Sequence, residues 1–335
     1  MTIRSRAIAL ELFVVGRRHK PRGSFVKRED TTKRVVIALG GNALLRASGS
    51  GSFEEQRAVV RETAASVVDA IRAGYEVVLT HGNGPQVGNR LLEQEGGSET
   101  PRAPLDVLVA ETQAQIGYLL QQALDNELGG GTDFVTLVTQ TVVDGEDPAF
   151  DGPTKPVGPW YTEAEAAERP FETRDVGRGE RSYRRVVPSP EPVDIVEADE
   201  IARLVDAGNL VICTGGGGVP VIEDGGYRGV EAVVDKDLAS ALLAPEVGAD
   251  CFVSLTDVNN AYVDYGGPHE RALAEIDPAS LRQHLQAGEF GPGSMGPKVE
   301  ACLSFLESGG DRAVIASATE LRAALDGEAG TQVRV

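Results

Sequence analysis

Apolar residues come in short unbroken runs separated by longer stretches of helical period. Val35-Val36-Ile37-Ala38-Leu39 is the first run, mostly β-branched. A strand buried on both faces of a parallel sheet reads this way. It closes on Gly40-Gly41-Asn42, and a helical pattern follows from about Phe53 to Ala73. A second strand, Glu76 to Thr80, closes on His81-Gly82-Asn83-Gly84-Pro85. Helical patterns cover 86–95 and 105–128, and a third strand runs from Phe134 to Val138. Later, a helix over 197–207 leads to the strand Leu210 to Cys213, which ends at Gly215 to Gly218. A helix opens near Lys236, then come a strand from Cys251 to Leu255, a helix over 297–308, a strand from Ala313 to Ala316 and a short strand near Val333. Strands alternating with helices predict right-handed crossovers and an α/β fold: a mainly parallel sheet between two helical layers.

Two stretches break the alternation. Residues 144–192 are rich in Pro, Gly, Arg and Glu, with a helix expected only over 161–169, and read as an inserted subdomain. Residues 1–30 carry Arg4, Arg6, Arg17, Arg18, Lys20, Arg22, Lys27 and Arg28. Their one apolar run, Ala7 to Val15, is interrupted by Glu11 and lacks a small-residue cleavage site. They read as a disordered basic leader outside the fold.

Charge narrows the function. Against 32 Lys and Arg stand 51 Asp and Glu, a formal net charge of -19 over 335 residues. Phosphate backbones need clustered cations, so a general nucleic-acid binder is excluded. The excess suits a protein kept soluble by surface carboxylates at high salt, and a haloarchaeal source is the matching hypothesis. Cys213, Cys251 and Cys302 sit in apolar runs without metal spacing, as buried thiols of a cytoplasmic protein do. No apolar run approaches the ~18–20 residues of a membrane-spanning helix.

Three glycine-rich turns, at 40–42, 82–84 and 215–218, each follow a strand, and a face that gathers such turns offers N–H donors to phosphate. No GxxxxGK[ST] occurs, and 82–88 misses GxGxxG by one residue, so neither a Walker-type ATPase nor a Rossmann dehydrogenase is indicated. Lysine is the sharper signal. Beyond residue 34 it remains only at 155, 236 and 298, within Gly152-Pro153-Thr154-Lys155-Pro156, Asp235-Lys236-Asp237 and Gly293-Ser294-Met295-Gly296-Pro297-Lys298. A compact ammonium suits a phosphate oxygen, and phosphoryl transfer is met mainly by positioned charge. Asp235 and Asp237 are placed to orient Lys236 or to help hold Mg²⁺ with a nucleotide. Arg174, Arg178, Arg181, Arg184 and Arg185 read equally as a solvated face or an anion-facing row. His81 reads as a loop-fixing residue ahead of a general base.

These motifs, in order over about residues 33–335, resemble carbamate kinase, of the amino acid kinase superfamily. The likeness is carried by Val36 to Ala43, His81 to Asn89, Pro153 to Pro159, Val186 to Pro190, Gly215 to Pro220, Gly229 to Asp237 and Gly293 to Lys298. The resemblance implies an open, mainly parallel eight-stranded sheet in a three-layer αβα sandwich with a small protruding subdomain. It implies a homodimer that converts ATP and carbamate to ADP and carbamoyl phosphate with Mg²⁺, often run toward ATP in arginine fermentation. By position, an N-terminal lobe (31–208) would hold carbamate and the moving phosphate at Gly40, Gly41, Asn42, Gly82 and Asn83. A C-terminal lobe (209–335) would hold the nucleotide near Gly215, Gly216, Gly217, Asp237, Asp257, Tyr262, Met295 and Gly296. Lys155 would come from the subdomain to join Lys236, Lys298 and Asp235 in catalysis. Many superfamily members carry a lysine where this chain has Ala38, and the subdomain lysine substitutes for it in the carbamate kinase branch. Asn259 and Asn260 are more polar than the family pattern, which bears on contacts to the base. Two other readings stand beside this one: a superfamily kinase for another small carboxylate or phosphate, and a nucleotide sensor without turnover.

Overall fold

The computed structural model describes residues 33–45, 52–97, 101–177, 179–291 and 293–334; the leader expected over 1–30, Arg178 and the side chain of Asn42 lie outside the described residues. Eight strands form the central sheet, in the order Glu275–Ile276, Thr331–Arg334, Arg312–Ser317, Cys251–Thr256, Arg34–Leu39, Glu76–His81, Leu210–Ile212 and Phe134–Thr136. Six are mutually parallel. Thr331–Arg334 runs antiparallel to Arg312–Ser317, and Glu275–Ile276 follows it in parallel.

All six residues of Arg34–Leu39 are buried, and they divide by parity. Val36 and Ala38 face a core shared with the helices Lys236–Glu246 and Met295–Glu307. Val35, Ile37 and Leu39 face a second core against Phe53–Arg72 and Leu105–Leu128. A strand sandwiched this way has no solvent face, which is why its sequence is a solid apolar run rather than an alternation. Each fully buried Leu or Ile there contributes roughly 1.5–3 kcal/mol over an exposed one.

Helix limits follow local chemistry. The Ser52 hydroxyl accepts from Glu55 N at 3.2 Å to start Phe53–Arg72. Gly129 ends Leu105–Leu128 with φ 81°. The helices Gly84–Glu95 and Met295–Glu307 begin two residues earlier than the apolar pattern suggests. Pro85 and Pro297 fall in their first turns, where a missing N–H costs nothing. Phe134–Thr136 is shorter than expected: its last link to the sheet is Leu137 N donating to Ile212 O at 2.9 Å, the end of the neighbouring strand.

Residues 144–192 hold more strand than their composition suggests. Lys155–Tyr161, Tyr183–Val187 and Thr173–Asp175 form an antiparallel sheet, and the α-helix there, Glu163–Ala167, starts on a Thr162–Glu165 capping box. Pro156, Pro159 and Gly158 break the alternation of Lys155–Tyr161, and Gly158, at φ 73°, sits where the pairing register shifts. A four-stranded sheet, Tyr227–Gly229, Val219–Glu223, Gln140–Val143 and Pro192–Ile195, packs beside it.

Candidate active site

The parallel register places Leu39 level with His81, and Ala38 level with both Thr80 and Ser254. The turns that follow these strands therefore share one rim of the sheet, the carboxyl end where α/β folds take ligands. At Gly40 a Cβ would fall 2.7 Å from Leu255 O, so only glycine brings the first turn this close to the neighbouring strand. A Cβ on Gly82 would meet Lys236 Cδ at 3.4 Å and Gly41 N at 3.7 Å. The stem of Lys236 thus lies beside Gly82, where the two turns come together.

Lys236 opens the helix Lys236–Glu246, whose N-cap is Asp235; one Asp235 oxygen accepts from Asp237 N at 2.9 Å. The other accepts from Lys155 Nζ at 2.8 Å, and this pair ties the three-stranded insertion to the helix. Asp237 is 4% exposed and stands at the centre. Its Oδ1 accepts from Lys236 Nζ and Ser254 Oγ, both at 2.7 Å, and its Oδ2 accepts from Lys298 Nζ at 3.0 Å. Below the helix, Thr80 and Ser240 hydroxyls meet at 2.6 Å, and Ser240 donates to Lys236 O. Three ammonium groups from three segments thus share two carboxylates, leaving a net positive charge at a glycine-lined rim.

Burial pushes the Lys236 ammonium down to about 8, against the upward pull of Asp237 and with a further push from Lys298. Burial also drags on Lys298, but Asp237 prevails and holds it above the ordinary lysine value. The same opposition holds at Asp237, where burial raises and the two ammonium groups lower; the ammonium groups win and keep the carboxylate well below its usual range.

The third glycine turn is closely packed against its neighbours. Thr214 has φ 52°, and Gly216, Gly217 and Gly218 all have positive φ. A Cβ would fall 2.5 Å from the His81 ring at Gly215, 2.2 Å from the Asn83 carboxamide at Gly216 and 2.4 Å from Val234 O at Gly217. Asn83 itself is buried and donates to Thr112 Oγ1 at 3.0 Å. The His81 Nδ1 lies 3.0 Å from Gly82 O, and burial lowers the imidazole to about 4. A neutral ring donating to its own loop fixes that loop.

Lys155, Lys236, Lys298, Asp235 and Asp237 are joined directly by hydrogen bonds, with Gly82 beside the Lys236 stem and Gly41 beside Gly82. Tyr262 and the Gly215–Gly217 turn stand outside that bonded cluster. Tyr262 lies on a hairpin with its ring 5.8 Å from Tyr265. Asp257 is exposed just past the strand Cys251–Thr256. Met295 and Gly296 lie in the first turn of the helix that carries Lys298, Gly296 N donating to Gly291 O at 2.9 Å. The described arginines of the 174–185 row are locally paired: Arg174 with Glu172, Arg181 with Glu165, Arg184 with Gly158 O and Arg185 with Glu231. Ser254, Thr80 and Ser240 were absent from the sequence-derived set. The visible signal for the first two is a hydroxyl next to the apolar run of its strand. Among the described residues no cluster of three or more His, Cys, Asp or Glu could hold a metal ion, and no helix is long and apolar enough to cross a membrane.

Residues 33–317 match the model of the amino acid kinase family, and the chain belongs to that family. Its relatives narrow the branch. It is 54% identical over 302 residues to carbamate kinase of Halobacterium salinarum, covering 89% of this chain and 97% of that protein. It is 53% identical to carbamate kinase of Pyrococcus furiosus, covering 90% and 99%. The solved carbamate kinase of Giardia lamblia bound to AMP-PNP superposes with a TM-score of 0.84 at 44% identity, over 91% of this chain and 99% of that one. The branch is that of the carbamate kinases, ATP-dependent phosphotransferases.

Proposed function

We propose that this chain transfers a phosphoryl group reversibly between ATP and carbamate at the Lys155–Lys236–Lys298 rim. In the ATP-forming direction, a β-phosphate oxygen of ADP attacks the phosphorus of carbamoyl phosphate. The bond from phosphorus to the carbamoyl oxygen breaks and carbamate leaves with that electron pair. No proton needs to move, so the protein's task is to position two anions and offset the charge that spreads over the equatorial oxygens. The transferring group is assigned to Lys236, which Asp237 holds beside Gly82. Lys298 serves the nucleotide side and Lys155 reaches over from the insertion. Gly40, Gly41, Asn42, Gly82 and Asn83 are proposed to bound the carbamate end. Gly215, Gly216, Gly217, Asp257, Tyr262, Met295 and Gly296 are proposed to bound the nucleotide end. The donor set offers ammonium groups and already-paired carboxylates, which fits Mg²⁺ arriving on the nucleotide phosphates to neutralise them rather than binding a protein cage.

The observation that carries this reading is the convergence of the chain's three lysines beyond residue 34 on two adjacent carboxylates. The experiment is to supply carbamoyl phosphate, ADP and Mg²⁺ at high salt and measure ATP. ATP formation is expected, and its absence refutes the reading. The same proposal has the enzyme running toward ATP in arginine fermentation in the cytoplasm, and acting as a homodimer. Exposed Tyr118 and Val138, which share a surface with Thr136 of the sheet-edge strand, support pairing with a second copy there. A molar mass of one chain by light scattering overturns the dimer.

A further inference from the structure

One polar side chain at this rim has no internal account. Gln86 is 3% exposed, and neither its Oε1 nor its Nε2 has a hydrogen-bond partner among the described residues. A buried carboxamide with both ends unmet carries a desolvation cost that native structures rarely leave standing. The cost makes sense where a ligand meets the group.

Its position says which ligand. Gln86 lies in the first turn of the twelve-residue helix Gly84–Glu95, just past Gly82 and Asn83. In a helix the Cα–Cβ bond tilts toward the N-terminus, so the side chain leans back over that turn and away from the helix body. The helix packs on the insertion, a Cβ on Gly88 lying 3.6 Å from Gly158 Cα in the strand that begins with Lys155. Two residues before that contact, Gln86 lies on the other side of the helix, at the end that adjoins the 82–84 turn beside Lys236. The helix N-terminus adds donors and a positive dipole end beside it.

We propose that Gln86 reads the carbamoyl group: Oε1 accepts from the carbamoyl N–H while Nε2 donates to a carbamoyl oxygen. Two carboxamide-like groups pair in this way through two neutral hydrogen bonds. A methyl group in place of the amine offers no donor to Oε1, so acetyl phosphate forfeits half of the pairing. The inference rests on the phosphoryl-transfer reading above and names the residue that selects its substrate.

The test compares the parent with Gln86→Met, which keeps the length of the side chain and removes both hydrogen bonds. In the ATP-forming assay kcat/KM for carbamoyl phosphate is expected to fall about 10–100-fold, the value of two neutral hydrogen bonds. The KM for ADP is expected to stay within twofold, and inhibition by acetyl phosphate is expected to change far less than carbamoyl phosphate use. A kcat/KM within twofold of the parent overturns the assignment. So does an equal loss toward both acyl phosphates, which is what general disturbance of the rim produces. Should Q86M not fold, Gln86→Glu takes its place: it cannot donate, and the same two ratios decide. A parent that makes no ATP defeats the functional reading itself, whereas an active parent with an indifferent Q86M defeats only the role of Gln86.

Discussion

Lys155 and Asp235 meet at 2.8 Å although 80 residues separate them in the chain. Asp235 also caps the helix that begins with Lys236, so one carboxylate both starts that helix and anchors the insertion. The two tasks separate by substitution. Asp235→Ala removes both and is expected to cost about 1 kcal/mol through the lost cap, with little more from a partly exposed ion pair. Asp235→Asn still caps and should recover most of that. Thermal unfolding of the two variants beside the parent measures the difference.

Asp237 and its two lysines respond asymmetrically to deletion. Lys236→Met leaves Asp237 paired with Lys298, so the fold should persist by circular dichroism while turnover falls about 10²–10³-fold, as for the loss of one transition-state donor. Asp237→Asn instead leaves two buried ammonium groups without their shared counter-charge, and about 3–5 kcal/mol of stability should go with it. Urea denaturation distinguishes the pair; an Asp237→Asn variant as stable as the parent contradicts the geometry.

Lys236 sets opposite pH trends for rate and stability. Its ammonium titrates at about 8 in the folded protein and at the ordinary 10.5 in the unfolded chain. Between these values the unfolded state holds the proton that the native state has shed. The contribution of Lys236 to stability therefore rises from pH 8 to 10.5. Catalysis needs the charged form, so the rate should fall above pH 8. A pH–rate profile with its alkaline limb near 8, absent from Lys236→Arg, checks the assignment.

His81 sets the acid side. Its folded value of about 4 lies below the unfolded 6.5, so between them the unfolded chain again binds the proton. Stability is expected to fall by about 3 kcal/mol as pH drops from 7 to 4, beyond what the carboxylates lose. His81→Gln should flatten that part of the stability–pH curve.

Gly216 tolerates no side chain. Its φ of 65° and the 2.2 Å approach of a would-be Cβ to the Asn83 carboxamide act together. Gly216→Ala should cost more than 2 kcal/mol, since left-handed strain alone is about 1–2 kcal/mol. It should also free Asn83 from Thr112. Hydrogen exchange at the 82–84 turn, slow in the parent and fast in the variant, reports the second effect.

What could be read from the chain and what could not divide on physical lines. The central strand showed itself because Val35 to Leu39 is buried on both faces, which leaves a solid apolar run. Lys155, Lys236 and Lys298 showed themselves because the chain elsewhere uses arginine, so a chemical preference survived as composition. The strand Lys155–Tyr161 did not, because Pro156, Gly158 and Pro159 erase the period of two that would announce it. Ser254 and Gln86 were silent for another reason. Each is an ordinary polar residue until the fold buries it, and their burial depends on register between segments far apart in sequence. Gly215 to Gly217 show that one glycine run can meet two demands, since this turn also closes against a neighbouring ring and carboxamide.

The paired ends of Lys155 and Asp235 bear on how such a rim would work at high salt. A cationic hollow open to molar chloride would ordinarily be flooded by it. Here the resident anion is tethered by the backbone, at a local concentration that dissolved halide must outcompete. A substrate dianion with several oxygens can win that contest where a monovalent sphere loses it, so the hollow keeps its appetite for acyl phosphates in a medium that blunts most electrostatic recognition.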